Sequence, residues 1–188
     1  MPRAGLSEDR VVEEAETLAD EGETVTLATL ARRLGVQVPS LYKHVAGADD
    51  LLRLMSIRAK NEFADVLTRA AVGKSGGDAL DALAEAYRQW ATVHPGRYAT
   101  TLRAPDPADE DDLAASSRAI QIIFDALGGY GLGDEDLVDA TRIFRSSLHG
   151  FVTLTEAGAF KLPDLDRSFR RMLAMFRLSL AQWPSLTI

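Results

Sequence analysis

"LATLARRLGVQVPSLYKHVA", Leu27 to Ala46, is the stretch whose reading decides the fold. Small Ala31 stands where two helices must approach closely, Gly35 stands at the break between them, and Leu30, Val36 and Leu41 fall at spacings that turn them inward. Thr26, just before the stretch, can cap the first of the two helices, which runs to Leu34. Gly35 can take the positive φ that a sharp turn needs. Pro39 is tolerated at the start of the second helix because the first turn leaves its N–H groups unpaired in any case. A small residue, a turn glycine and this apolar spacing together describe a helix-turn-helix.

The charges and polar tips of this stretch fit that geometry. Between Ala28 and Ala46 the charged residues are Arg32, Arg33 and Lys43, all basic, in a chain whose formal net charge is -7. The second helix of such a pair enters the major groove of DNA with its N-terminal side chains at base edges. Gln37 and Ser40 can hydrogen-bond bases, and Val38 and Pro39 can touch a thymine methyl. Tyr42, Lys43 and His44 have the reach for phosphate oxygens, while Leu41 and Val45 hold the helix to its own core.

Outward from this motif the pattern stays helical. Upstream, Val11, Val12, Ala15, Leu18 and Ala19 recur at threes and fours from Ser7 until Gly22. Downstream, Leu51, Leu52, Met55, Ala59, Phe63, Val66, Leu67 and Ala70 predict a long fourth helix joining two parts of the molecule. After the "GKSGG" loop, Leu80, Leu83, Ala84, Tyr87, Trp90 and Ala91 predict another helix, ended by "HPG" at His94 to Gly96. "RAPDPADEDD" reads as a solvated loop, followed by amphipathic stretches near Ala108–Leu127, Asp134–Ala157 and Leu165–Gln182. No segment alternates as a strand would. The expected fold is therefore all-α: a three-helix DNA-binding domain over residues 1–47 and a regulatory and dimerisation bundle over residues 48–188.

Composition narrows the function classes. A chain of 188 residues without cysteine has no disulfide framework and no thiolate to act as nucleophile or metal ligand. The N-terminal stretch around Pro2, Arg3 and Arg10 has no apolar run, so a cytoplasmic protein with neither signal peptide nor membrane anchor is expected. The acidic net charge argues against indiscriminate coating of nucleic acid. The three histidines, His44, His94 and His149, are not at metal-ligand spacing, and Glu156 seven residues after His149 is weak support for acid–base chemistry. Neither an enzyme nor a metal or cofactor protein is expected.

Thr24 to Leu52 strongly resembles the DNA-binding signature of the TetR family of transcriptional regulators. That signature runs through a threonine, "LA..LGV...LY.H" and an acidic-leucine entry to the fourth helix. Thr26, Leu30, Ala31, Leu34, Gly35, Val36, Leu41, Tyr42, His44, Leu51 and Leu52 fall in register with it. The resemblance implies a homodimer of helical subunits that binds a near-palindromic operator on double-stranded DNA. It also implies that the protein usually represses, and is released by a small molecule in the C-terminal domain. By the same resemblance Thr26 is a phosphate contact, Gln37, Val38, Pro39 and Ser40 face bases, and Tyr42, Lys43 and His44 face the backbone. Ala28 and Ala48 depart from the pattern, where members often carry a basic side chain and a lysine. Fewer phosphate anchors then flatten the salt dependence of binding, unless a free N-terminal arm with Arg3 and Arg10 compensates.

"YRQWATVHPGRYATTL" followed by "LHGFVTLTEAGAF" is similar to the C-terminal domain of a TetR subgroup marked by tryptophan near "HPG" and then "HG". Aromatic walls with a few polar tips suit a small-molecule pocket, which makes Tyr87, Trp90, His94, Phe124 and His149 the candidate ligand contacts. The last two helices carry Phe144, Leu148, Phe151, Phe169, Leu173, Phe176 and Leu180. These residues either pair two subunits in a four-helix interface or complete the monomer's own core. A regulator controlled by a protein partner without a small ligand is the alternative.

Overall fold

A computed structural model describes residues 5–161 and 163–183, and among these the chain is all-α. The helices are α1 (Glu8–Asp20), α2 (Leu27–Leu34), α3 (Val38–Leu41), α4 (Ala48–Ala71), α5 (Gly76–Val93), α6 (Pro95–Thr101), α7 (Glu110–Gly128), α8 (Asp134–Glu156) and α9 (Leu165–Gln182). They pack as two compact units, one of residues 1–62 with 93–116 and the other of 63–92 with 117–188. The domain boundary expected after residue 47 falls at the start of α4, whose first half, to Glu62, belongs to the first unit.

In the first unit the apolar face of α1 supplies Val11, Val12, Ala15 and Leu18 to a core closed by Leu30, Ala31, Leu41, Val45, Leu51 and Met55. Ser7 caps α1 by accepting from the Arg10 amide at 3.3 Å. Asp49 and Asp50 lie in the first turn of α4, where the helix dipole favours negative charge. Asp50 also reaches back to accept from the Ala46 amide at 2.8 Å. Arg10 stands on α1 and so is no part of a free arm; Arg3 lies outside the described residues.

One helix was hidden in the sequence. "HPG" ends α5, but it also opens α6: His94 is the N-cap, Pro95 occupies the first turn, and the helix runs on to Thr101. The expected loop from Arg103 follows α6, and its acidic end, Glu110 to Asp112, forms the first turn of α7. Gly96 explains how closely α6 seats, because a Cβ there would lie 2.1 Å from the backbone carbon of Ala19 and 2.2 Å from its oxygen. Only a residue without a side chain permits that approach of α6 to α1. On its other side α6 meets α4, where Ser56 Oγ donates to the Thr100 carbonyl at 3.0 Å.

A buried ion pair completes this unit. Lys60 Nζ of α4 donates to Asp112 Oδ1 of α7 at 2.7 Å, and both side chains are almost fully buried. Arg103 and the Asp106 amide hold the other carboxylate oxygen at 3.0 and 3.1 Å. Burial pushes the Asp112 carboxyl up, but the Lys60 ammonium and the Asp106 amide outweigh it and leave it below its ordinary value. Breaking such a pair from one side strands a charge, which costs about 3–5 kcal/mol.

The second unit is built on aromatic packing. Phe144 of α8 stacks on Phe176 of α9 at 4.9 Å between centroids, and Phe151 meets Phe169 at 5.1 Å. Arg88 of α5 lies over the Phe169 ring at 4.4 Å and donates to Asp166 at 2.8 Å. Arg177 of α9 reaches Asp81 of α5 at 2.6 Å. Phe144, Leu148, Phe169, Leu173, Phe176 and Leu180 are buried within the subunit itself. Of the two readings open for the last helices, these residues complete the monomer's core. The apolar side chains left outside on α8 and α9 are others: Ile143, Leu154, Met175 and Leu178. No helix among the described residues is long and apolar enough to cross a membrane.

Candidate nucleic-acid interface

The two helices of the motif are set by local chemistry. Thr26 Oγ1 accepts from the Thr29 amide at 3.0 Å while Thr29 Oγ1 accepts from the Thr26 amide at 2.9 Å, a reciprocal cap that starts α2. Thr29 Oγ1 also lies 2.9 Å from the Thr24 carbonyl, tying the incoming chain to the cap. Gly35 ends α2 at φ 68° and ψ 33°, in the left-handed region, with its amide on the Arg32 carbonyl. The Val36 amide then bonds the Ala31 carbonyl at 2.9 Å, so the turn is closed on both sides.

α3 is a single turn, Val38–Leu41, entered through extended Gln37 and continued as turns through His44. Its side chains divide cleanly. Leu41 and Val45 are buried, whereas Gln37, Pro39 and Lys43 are exposed, Tyr42 is 57% exposed, and Val38, Ser40 and His44 are half-buried. The residues read as base-facing and phosphate-facing thus share the outside of the unit, and the two read as anchors point in. Thr26 stands exposed at the head of α2, its hydroxyl engaged in the cap.

The electrostatics differ from the sequence reading in one respect. Arg33 is drawn away from the outer face by three carboxylates: Glu14 at 2.9 Å, Glu21 at 2.8 Å and Glu23 at 3.6 Å. It joins α2 to α1 and its following turn, and contributes no free positive charge. Arg32 and Lys43, both exposed, carry no such partner among the described residues. Any phosphate attraction from this stretch therefore rests on two cations, fewer than the count of basic residues promised.

The candidate ligand residues separate. Tyr87 and Trp90 lie buried in the second unit, where the Phe63 ring meets Tyr87 edge-on at 5.0 Å and Trp90 at 5.0 Å. Phe124 and His149, half-buried on α7 and α8, belong to the same unit. His94 belongs to the first unit and is part of a joint. Asp20, at the end of α1, accepts from the Arg97 amide at 2.8 Å and from Arg97 Nε at 2.7 Å. His94 Nδ1 lies 2.6 Å from Arg97 Nη2 and 3.2 Å from Asp20 Oδ2. With the guanidinium donating, Nδ1 carries no hydrogen and cannot also donate to Asp20. Arg97 extends the joint to Glu62 of α4 at 2.8 Å. Sequence reasoning missed Asp20, Gly96 and Arg97; the one signal was a glycine directly after His-Pro, where a helix starting at Pro95 would need to pass close to something.

Comparison with known proteins agrees with this architecture. Residues 80–176 match the family described as "Tetracyclin repressor-like, C-terminal domain". The chain is 38% identical over 173 residues to Rv0681 of Mycobacterium tuberculosis, an uncharacterised HTH-type transcriptional regulator, covering 90% of this chain and 79% of that protein. It is 32% identical over 183 residues to YobS of Bacillus subtilis, likewise an uncharacterised HTH-type transcriptional regulator, covering 92% and 94%. ActR of Streptomyces coelicolor, a TetR family protein solved in complex with (S)-DNPA, shares the fold with a TM-score of 0.64 at 20% identity, over 95% of this chain and 98% of that one. A helix-turn-helix at the N-terminus, a matched C-terminal domain and relatives spanning nearly the whole chain make this protein a transcriptional regulator of the TetR family, not an enzyme.

Proposed function

We propose that this regulator is a cytoplasmic homodimer that reads a near-palindromic operator, represses, and lets go when a small molecule binds its second unit. The observation that carries the DNA reading is the division of α3: Leu41 and Val45 inside, Gln37 to Ser40 and Tyr42 to His44 at or near the surface, with no acidic residue from Ala28 to Ala46. Residues 1–47 form the reading module in this account and residues 48–188 the regulatory part. Gln37, Val38, Pro39 and Ser40 meet base edges, while Thr26, Tyr42, Lys43 and His44 hold the phosphate backbone.

Dimerisation is assigned to the outer faces of α8 and α9. Ile143, Met175 and Leu178 are exposed there, and an open groove of about 610 Å³ is lined by Met172, Met175 and Phe176 with Arg167 and Arg171. Two copies facing each other would cover this apolar surface. For the small molecule, the buried aromatic group around Tyr87 and Trp90, with Phe124 and His149, supplies walls and polar tips; His94 is left to the joint with Asp20 and Arg97. The ligand acts by binding one of two states of the dimer better than the other.

The test is selection of random duplex DNA by the purified protein, followed by affinity against salt. Recovery of a near-palindrome with half-sites one helical turn apart, about 34–36 Å, supports the reading. Weak binding blind to sequence would sink it and turn attention to a protein partner. With Arg33 neutralised, the slope of log affinity against log salt stays shallow, about -0.9 for each phosphate neutralised.

A further inference from the structure

A carboxyl group inside the first unit has no use in DNA reading. Glu16 lies on the inner side of α1 and is only 3% exposed, and its Oε1 has no hydrogen-bond partner among the described residues. Its other oxygen lies 3.3 Å from Arg58 Nε of α4. Arg58 is shared, with Glu13 at 2.9 Å and Asp9 at 3.7 Å drawing on the same guanidinium. A polar cavity of about 350 Å³ opens beside it, lined by Arg10, Glu13, Glu14, Thr17, Arg58 and Arg97 as well as Glu16 itself.

We propose that Glu16 is a proton-operated latch at the joint of α1, α4 and α6: protonated, it lets the three helices close, and ionised, it loosens them. The geometry sets the direction. An ionised carboxylate offers two oxygens that both need donors, and here one of them is buried with none. The groups facing it are mixed. α4 presents Arg58 and Glu62, α6 presents Arg97 with its N-cap His94, and α1 itself adds Arg10 together with Asp9, Glu13, Glu14 and Asp20. The two guanidiniums are each drawn on by other carboxylates, Arg58 by Glu13 and Asp9 and Arg97 by Asp20 and Glu62, so neither serves Glu16 alone. The nearby carboxylates, in turn, repel a negative charge and leave acceptors for a proton.

Burial is accordingly the largest influence on this carboxyl and raises its pKa from the ordinary 4.5 to about 7, against the pull of Arg58 and then Arg97 and with the help of Glu62 and Asp20. Between about pH 4.5 and 7 the folded chain therefore holds a proton that the unfolded chain has released. Stability from this group is full below about pH 4.5 and is lost as pH rises through about 7. Near neutrality a change of one pH unit then alters how firmly α1, the helix that backs α2, is seated.

Two measurements on the full chain test the latch, and neither uses DNA, so its failure is distinct from failure of the operator reading. The first follows the Glu16 side-chain carboxyl carbon by NMR against pH in the wild type; a midpoint near 7 is expected. The second compares thermal unfolding of wild type and Glu16→Gln from pH 5 to 8. The wild type should lose roughly 3–8 °C relative to the variant across that window. The comparison cancels the pH dependence of every other group, which both proteins share. A Glu16 midpoint in the ordinary carboxylate range, or parallel pH profiles for the two proteins, overturns the proposal.

Discussion

α3 and α6 are both short, both carry a proline in the first turn, and both have a histidine, a tyrosine and a basic residue within or beside them, yet they have opposite fates. α3 and the turns after it send Leu41 and Val45 inward and leave Tyr42 and Lys43 in solvent. α6 buries Tyr98, presses Gly96 against the backbone of α1, and sends Arg97 into a network with Asp20, His94 and Glu62. The same local vocabulary thus leaves an exposed surface in one place and makes a mechanical joint in the other. The neighbours decide which: α3 meets the protein along one side, whereas α6 is met by α1 and α4.

Five substitutions break or sharpen that contrast. The largest effect is expected from Leu41→Ala, which removes the one fully buried side chain of α3 and should cost about 2–5 kcal/mol in urea unfolding. Gly96→Ala puts a Cβ into the backbone of Ala19, where no side chain can move aside, and should cost about 1–3 kcal/mol by the same measurement, with α6 displaced in a crystal structure. Asp20→Asn keeps the shape but removes the charge that holds Arg97. About 1–2 kcal/mol is expected, and if stability were unchanged the joint would be no more than a surface contact.

The smallest change in stability belongs to Tyr42→Phe, within about 0.5 kcal/mol, because the ring is exposed. Its effect should appear in DNA affinity instead, weakening all sequences alike, whereas Gln37→Ala should alter the preferred base at one position of each half-site. Measured by equilibrium binding on a panel of operators, the reverse pattern would exchange the roles assigned to the two residues. The contrast between the helices would then hold for stability but not for recognition.

Much of the motif was legible because its causes are local. Thr26 starts α2 by bonding a residue three places on, Gly35 ends it through its own backbone freedom, and the spacing of Leu30, Ala31 and Leu41 sets the inner face. Sequence shows the sign of Arg33, which puts it on the basic face, but not the glutamates of α1 and of the turn after it that surround it. His94 was read as a ligand contact for a similar reason. At helical spacing it continues the stripe of Tyr87 and Trp90, but α5 stops at Val93, and the chain begins a new helix with His94 as its cap. The last two helices showed their apolar character plainly; which of their side chains face inward depended on how α8 and α9 pack together.

By itself the sequence determined the helical class, the positions of most helices and the place of the helix-turn-helix. Periodicity, caps and turn glycines act over a few residues, and their physics is complete within the stretch that carries them. Only the tertiary structure decided that "HPG" is a joint, that Arg33 is neutralised and that Glu16 is buried with one oxygen unpaired among the described residues. Each of these depends on groups far along the chain brought within a few ångströms. Burial and charge pairing are properties of that assembled neighbourhood and not of a residue's place in the sequence.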